Sequence, residues 1–189
     1  MRVRRGAEES REHILAAAEK LLIEQGPLAL KLTEVASMAE VANGNVLHHF
    51  GSIDGLHAAL MERMTQQLVA EVLAIPERVG SHEAAHDAVM QALFDVFETR
   101  GAARLAAWLE LTGEWKRLTH VREAVRSVVA RRAQMGGLSL AEAEDQVLIS
   151  VVLAMGAGLF GRSLAQLIGK PAGRTRKIAI ELLRVKHYC

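Results

Sequence analysis

The stretch Leu32-Thr33-Glu34-Val35-Ala36-Ser37-Met38-Ala39, followed by Glu40-Val41-Ala42-Asn43-Gly44 and then Asn45-Val46-Leu47-His48-His49-Phe50, reads as two short helices separated by a break of about four residues. The first is about two turns long, and the break holds the only glycine of the stretch, Gly44. Ahead of it, from Ser10, the residues Ile14, Leu15, Ala18, Leu21 and Leu22 recur three and four apart while Glu12, Glu19, Lys20 and Glu24 occupy the other face. Gly26-Pro27 ends that helix, glycine suiting a left-handed cap and proline being unable to continue the ladder. Three helices in this order, the last two short, describe a helix-turn-helix unit.

Working outward, the helical pattern continues to the end of the chain. Ser52 or Asp54 can cap a fourth helix through Leu56, Leu60, Met64 and Leu68, expected to end by Pro76. Ser81 can cap a fifth that is closed by Gly101, and a sixth runs roughly from Ala102 to Leu111. A seventh, from about Lys116, stops at Gly136-Gly137. Ser139-Leu140-Ala141-Glu142 is a capping-box pattern opening an eighth helix to about Ile168, and a ninth spans roughly Gly173 to Val185. The fold class expected is all-α, with a helix-turn-helix domain over 1–53 and a second helical domain over 54–189.

Composition agrees. Of 189 residues, 50% are hydrophobic and only 4% aromatic, which favours helix, because unbranched side chains lose little rotamer freedom there. The one cysteine, Cys189, can form no intramolecular disulfide, which fits a reducing, cytoplasmic setting. No apolar run follows the basic N-terminal residues, so no secretory signal is expected. The apolar stretch Val147 to Phe160 is interrupted by Ser150, Gly156 and Gly158 and falls short of the roughly 20 residues a spanning helix needs, so no membrane partner is expected. The chain carries 23 basic and 22 acidic residues, and its first sixty hold 6 basic against 8 acidic with four of the eight histidines. Any positive charge offered to nucleic acid must therefore be local.

The amphipathic first helix ending in glycine, Val35-Ala36, Val41, Gly44, His48-His49-Phe50-Gly51-Ser52 and Leu56 together resemble the TetR family of bacterial transcriptional repressors. The resemblance covers the first sixty positions, and beyond them extends only to helix count and the two closing helices. It implies a regulator, most simply a repressor, that binds double-stranded operator DNA as a homodimer and is released by a small-molecule effector, with no enzymatic activity and no cofactor. It implies too that the last two helices pair with those of a second copy in a four-helix bundle. The chain departs from the family pattern at Lys31, Glu40, Leu47 and Ile53. Glu40 stands where glycine is usual, so a left-handed backbone there costs roughly 1 kcal/mol.

A short helix presented in this way enters the major groove, and side chains near its N-terminus reach base edges. Asn43 and Asn45 are the candidate base readers, since an amide can bond adenine in bidentate fashion, and Gly44 permits close approach. Thr33, His48 and His49 are candidate phosphate contacts, and Arg2, Arg4 and Arg5 a candidate arm. Asn43 serves equally well as the cap of the third helix. Val35, Ala36, Val46, Leu47 and Phe50 are expected in the core.

In the second domain Met90, Phe94, Phe97, Trp108, Leu111 and Trp115 are the candidate effector-binding residues, ligand sites being mostly apolar. Simple core packing is the competing explanation for each. A different reading of the chain, as a zinc-dependent helical enzyme or a ligand carrier without DNA activity, rests on His82-Glu83-Ala84-Ala85-His86, an HExxH string. That string directly follows Gly80-Ser81 at a helix start, where Glu83 is more simply explained by the N-terminal dipole, so no metal ligand is assigned.

Overall fold

The structure, a computed structural model, describes residues 2–185; the side chains at positions 2–5, 76, 77, 82, 117 and 185 lie outside the described set. Among the described residues there are nine helices and no strand. They are α1 (Arg2–Gln25), α2 (Leu32–Met38), α3 (Asn43–Phe50), α4 (Ile53–Arg78), α5 (His82–Phe94, running on through a π turn at Asp95–Thr99), α6 (Ala102–Leu111), α7 (Thr119–Gly136), α8 (Leu140–Leu167) and α9 (Arg174–Val185). Short 3₁₀ turns lie at Pro27–Ala29 and Glu114–Arg117.

Helix ends follow the local chemistry. Gly26 takes φ 84° and Gly51 φ 74°, left-handed values that a Cβ would disfavour. Ser52 Oγ accepts from Gly55 N at 3.0 Å, Ser81 Oγ from Ala84 N at 3.2 Å, and Ser139 with Glu142 forms the full reciprocal capping box. Two boundaries differ from expectation. Helix α1 begins at Arg2 rather than near Ser10. Helix α4 does not end by Pro76 but runs to Arg78. Helix α8 ends at Leu167, next to the expected Ile168: Ser150 donates back to Gln146 O at 2.7 Å within the helix, and a π turn at Ala157–Gly161 carries the backbone past the glycines. The expectation of too short an apolar segment is thereby corrected, for Leu140–Leu167 is long and apolar enough to cross a membrane by length and composition.

The chain divides into two units: residues 1–64 with 104–118, and 65–103 with 119–189. The boundaries between the units fall inside α4, inside α6 and after Leu118. The first unit is built on Ile14, Leu15, Leu21 and Leu22 of α1, Val35 and Ala36 of α2, Val46 of α3, Leu56 and Leu60 of α4, and Leu105 and Leu109 of α6, all buried. Arg104 donates to the carbonyls of Leu22 (2.9 Å) and Ile23 (3.2 Å), placing a cation at the C-terminal end of α1, where the helix dipole favours positive charge. Arg63 on α4 pairs with Glu12 (2.9 Å) and Glu19 on α1. The second unit buries Met90, Leu93, Phe94, Ala154, Ala157, Ala179, Ile180 and Leu183 in one cluster, and Val129, Ala133 and Ala143 in another. Arg176 and Arg184 on α9 reach Asp95 and Asp87.

Candidate nucleic-acid interface

Within the first unit, α3 is held by its inner face and presents its outer one. Val46 is fully buried, and Val41 N donates to Ala36 O at 2.9 Å, closing α2. Glu40 makes the turn at φ 54°, the left-handed conformation expected to cost energy without glycine. His13 Nε2 donates to Ala39 O at 3.0 Å, and His57 Nε2, in a buried ring, donates to Leu30 O at 2.9 Å; a carbonyl can only accept, so these nitrogens carry the proton. His49 Nε2 and Ser10 Oγ share a hydrogen bond of 3.1 Å, and the Arg11 guanidinium lies 5.2 Å over the Phe50 ring. Three of the four histidines among the first sixty residues thus make bonds across this unit: His13 from α1 to the end of α2, His49 between α3 and α1, and His57 from α4 to the link ahead of α2. His48, exposed on α3, is the fourth, its ring in a T-shaped contact with that of His49 at 5.5 Å.

Asn43, Gly44, Asn45, Leu47 and His48 are all exposed on α3, and Thr33 is exposed in the first turn of α2. The structure brings these onto one helix-turn-helix. His49 is half-buried, and its Nε2 is engaged by Ser10. Arg4 and Arg5 lie on the α1 backbone, with side chains outside the described residues. Two expectations are corrected. Asn43 is not the cap of α3; it is the first helical residue, and Ala42, which has no side-chain acceptor, takes the cap position. Leu47 is not core but 43% exposed, and Phe50 is only half-buried. A helical step of about 100° gives the reason: with Val46 pointing inward, its neighbour Leu47 turns away. That phase was available from the sequence and would have exposed Leu47 as a surface residue.

The candidate effector residues are divided between the two units. Met90 and Phe94 are buried in the second unit's core, with Phe97 packed against it, while Trp108, Leu111 and Trp115 belong to the first unit. Leu111 is 85% exposed and Trp115 43%. An open cleft in the second unit is lined instead by Gln91, Arg176, Ile180, Arg184 and their neighbours. Among the described residues, no three His, Cys, Asp or Glu side chains gather where a metal ion would sit.

An all-helical chain with a short, outward-facing helix held by a tight turn defines a helix-turn-helix protein. Comparison with known proteins agrees with this: residues 14–60 match the model of the bacterial regulatory proteins of the tetR family. The chain is 36% identical over 55 residues to the HTH-type transcriptional repressor NemR of Escherichia coli (strain K12), covering 29% of this chain and 28% of that protein. It is 36% identical over 63 residues to the HTH-type transcriptional repressor Rv3405c of Mycobacterium tuberculosis (strain ATCC 25618 / H37Rv), covering 33% and 34%. These matches span about a third or less of the relatives' own length. Over the whole chain the likeness is one of fold. The crystal structure of reduced E. coli NemR superposes with a TM-score of 0.67 at 21% identity, covering 92% of this chain and 95% of that one. The multidrug binding protein EbrR complexed with imidazole gives 0.60 at 18%, covering 92% of each chain.

Proposed function

We propose that this protein is a transcriptional regulator, acting as a repressor, that binds double-stranded operator DNA as a homodimer and is released by a small-molecule effector. The exposed outer face of α3, held on a domain that matches the tetR family, carries the proposal. Asn45 and Asn43 read base edges, Gly44 allows the backbone close to the groove, and Thr33, His48 and His49 contact phosphates, with Arg4 and Arg5 as an N-terminal arm. Two relatives that match this domain are named as repressors. EbrR, alike in fold, is named for binding drugs, which supports an effector; of the candidate effector residues, Met90, Phe94 and Phe97 share the second unit and are the ones proposed for its site. A regulator of this kind works on the chromosome and so in the cytoplasm.

The homodimer reading rests on α8 and α9. Leu148, Val152, Phe160, Leu164, Leu167, Ile178 and Leu182 are exposed large apolar residues on them. Only 17% of the most apolar window of α8 is buried, unlike the core helix of a soluble domain. Such a face requires burial, and a second copy supplies it, giving the two-fold axis that a palindromic operator needs.

The test is binding of the purified protein to the DNA upstream of its own gene across a salt series, with Asn45→Ala alongside. Specific binding with a negative log-salt slope, weakened by the variant, supports the proposal. Loss of all sequence preference at low salt, on that DNA and on duplexes selected from a random pool, overturns it.

A further inference from the structure

We infer that Leu47 is a base-reading residue that packs against the C5-methyl group of a thymine in the operator half-site. The inference rests on the DNA-binding reading and adds to it the base that one side chain selects. Leu47 is 43% exposed, on the same outer face of α3 as Gly44 and His48 and in phase with Asn43, one turn earlier. The neighbours Val46 and Phe50 are turned inward or half-covered, so α3 has no packing use for a third large apolar side chain. An isobutyl group offers neither a hydrogen bond nor a charge to a phosphate. In the major groove the thymine methyl is the one apolar feature of the base edges, and apolar side chains are its matching partners.

Reach is the physical constraint, because leucine is short compared with arginine or glutamine. Gly44 removes it. A Cβ built at Gly44 meets nothing within 4 Å, so that flank of the helix lies open and carries no side chain to hold the backbone away from a duplex. The left-handed turn at Glu40 and the buried Val46 fix the phase of the helix, and so fix which flank is offered. Desolvating one methyl against one isobutyl group changes affinity several-fold, enough to specify a base pair without being essential to binding.

The experiment selects duplexes with the wild-type protein from a random-sequence pool and then replaces each thymine of the selected duplex, one at a time, by deoxyuridine, which removes only the methyl. One thymine per half-site is expected at which the wild type loses about three- to tenfold in affinity. At that position the Leu47→Ala variant, already weaker on the parent duplex, loses no more. Because the substitution is made in the DNA, the wild-type arm of the test does not depend on how the variant folds. A selected duplex bound equally well with and without every thymine methyl overturns the role of Leu47 while leaving the DNA reading standing. So does a sensitive thymine to which the variant responds as fully as the wild type. Failure to enrich any duplex overturns the DNA reading itself, and this inference with it.

Discussion

At the scale of single residues, the turn before α3 is where chemistry and conformation disagree. Glu40 holds φ 54° with a full side chain, in a region that favours glycine. Glu40→Gly is therefore expected to stabilise the protein by about 1 kcal/mol, read as a rise in the urea midpoint at unchanged slope. The gain is largest if the glycine loses no extra freedom in the unfolded chain, and an unchanged or lowered midpoint would show that this term dominates. Gly55 is the opposite case: a Cβ there would lie 2.1 Å from the Phe50 carbonyl oxygen, a backbone atom that cannot swing aside. Gly55→Ala should cost about 1 to 3 kcal/mol by thermal or chemical denaturation. For Asn45, substitution by alanine should remove about 1 to 3 kcal/mol of discrimination at one adenine position, seen as relaxed preference at that base pair in competition binding. The residues at this interface were readable in unequal degree. Asn45 and His48 were legible as polar side chains on the short third helix, whereas Leu47 was assigned to the core because hydrophobicity alone does not give the helical phase.

At the scale of elements, the caps show how much of the boundary pattern is written locally. Ser52, Ser81 and Ser139 cap where the sequence proposed, each accepting from a backbone N–H three residues on. The Glu142 carboxyl also accepts from the Ser139 hydroxyl and backbone N–H, and these bonds hold its pKa below the ordinary carboxylate value. The folded value lies below the unfolded one. The resulting contribution is present above the unfolded value, about 4.3, and is lost as the pH falls through the depressed folded value. Glu142→Gln is accordingly expected to lose stability at neutral pH and to flatten this part of the acid limb; parallel wild-type and variant stability curves below pH 5 would count against the capping account. The end of α4 was less legible: proline is read as a stop on local grounds, yet α4 runs past Pro76 to Arg78. The end of α8 was legible, at Leu167 beside the expected Ile168. A Cβ at Gly158 would meet the Phe97 carbonyl oxygen at 2.7 Å and the Ala103 Cβ at 2.8 Å, so this glycine answers to close packing rather than to a turn.

At the scale of the whole molecule, the apolar face of α8 and α9 predicts the state of assembly. Sedimentation of the wild type should give a dimer, and Leu164→Glu combined with Leu182→Glu, both at exposed positions, should give a folded monomer with weakened operator binding. A doubly substituted protein that still sediments as a dimer would place the contact elsewhere. The π turn at Ala157–Gly161, inside α8, carries a consequence of another kind. A single wide turn lodges one residue beyond the α-helical count without rotating the turns C-terminal to it. Elsewhere in the helix, loss of one residue swings every later side chain by about 100° and turns a packed face outward. At this turn, shortening the chain by one residue restores regular winding and keeps both flanking faces in phase. It is the point along α8 where the loss of one residue leaves the two ends of the helix still in agreement.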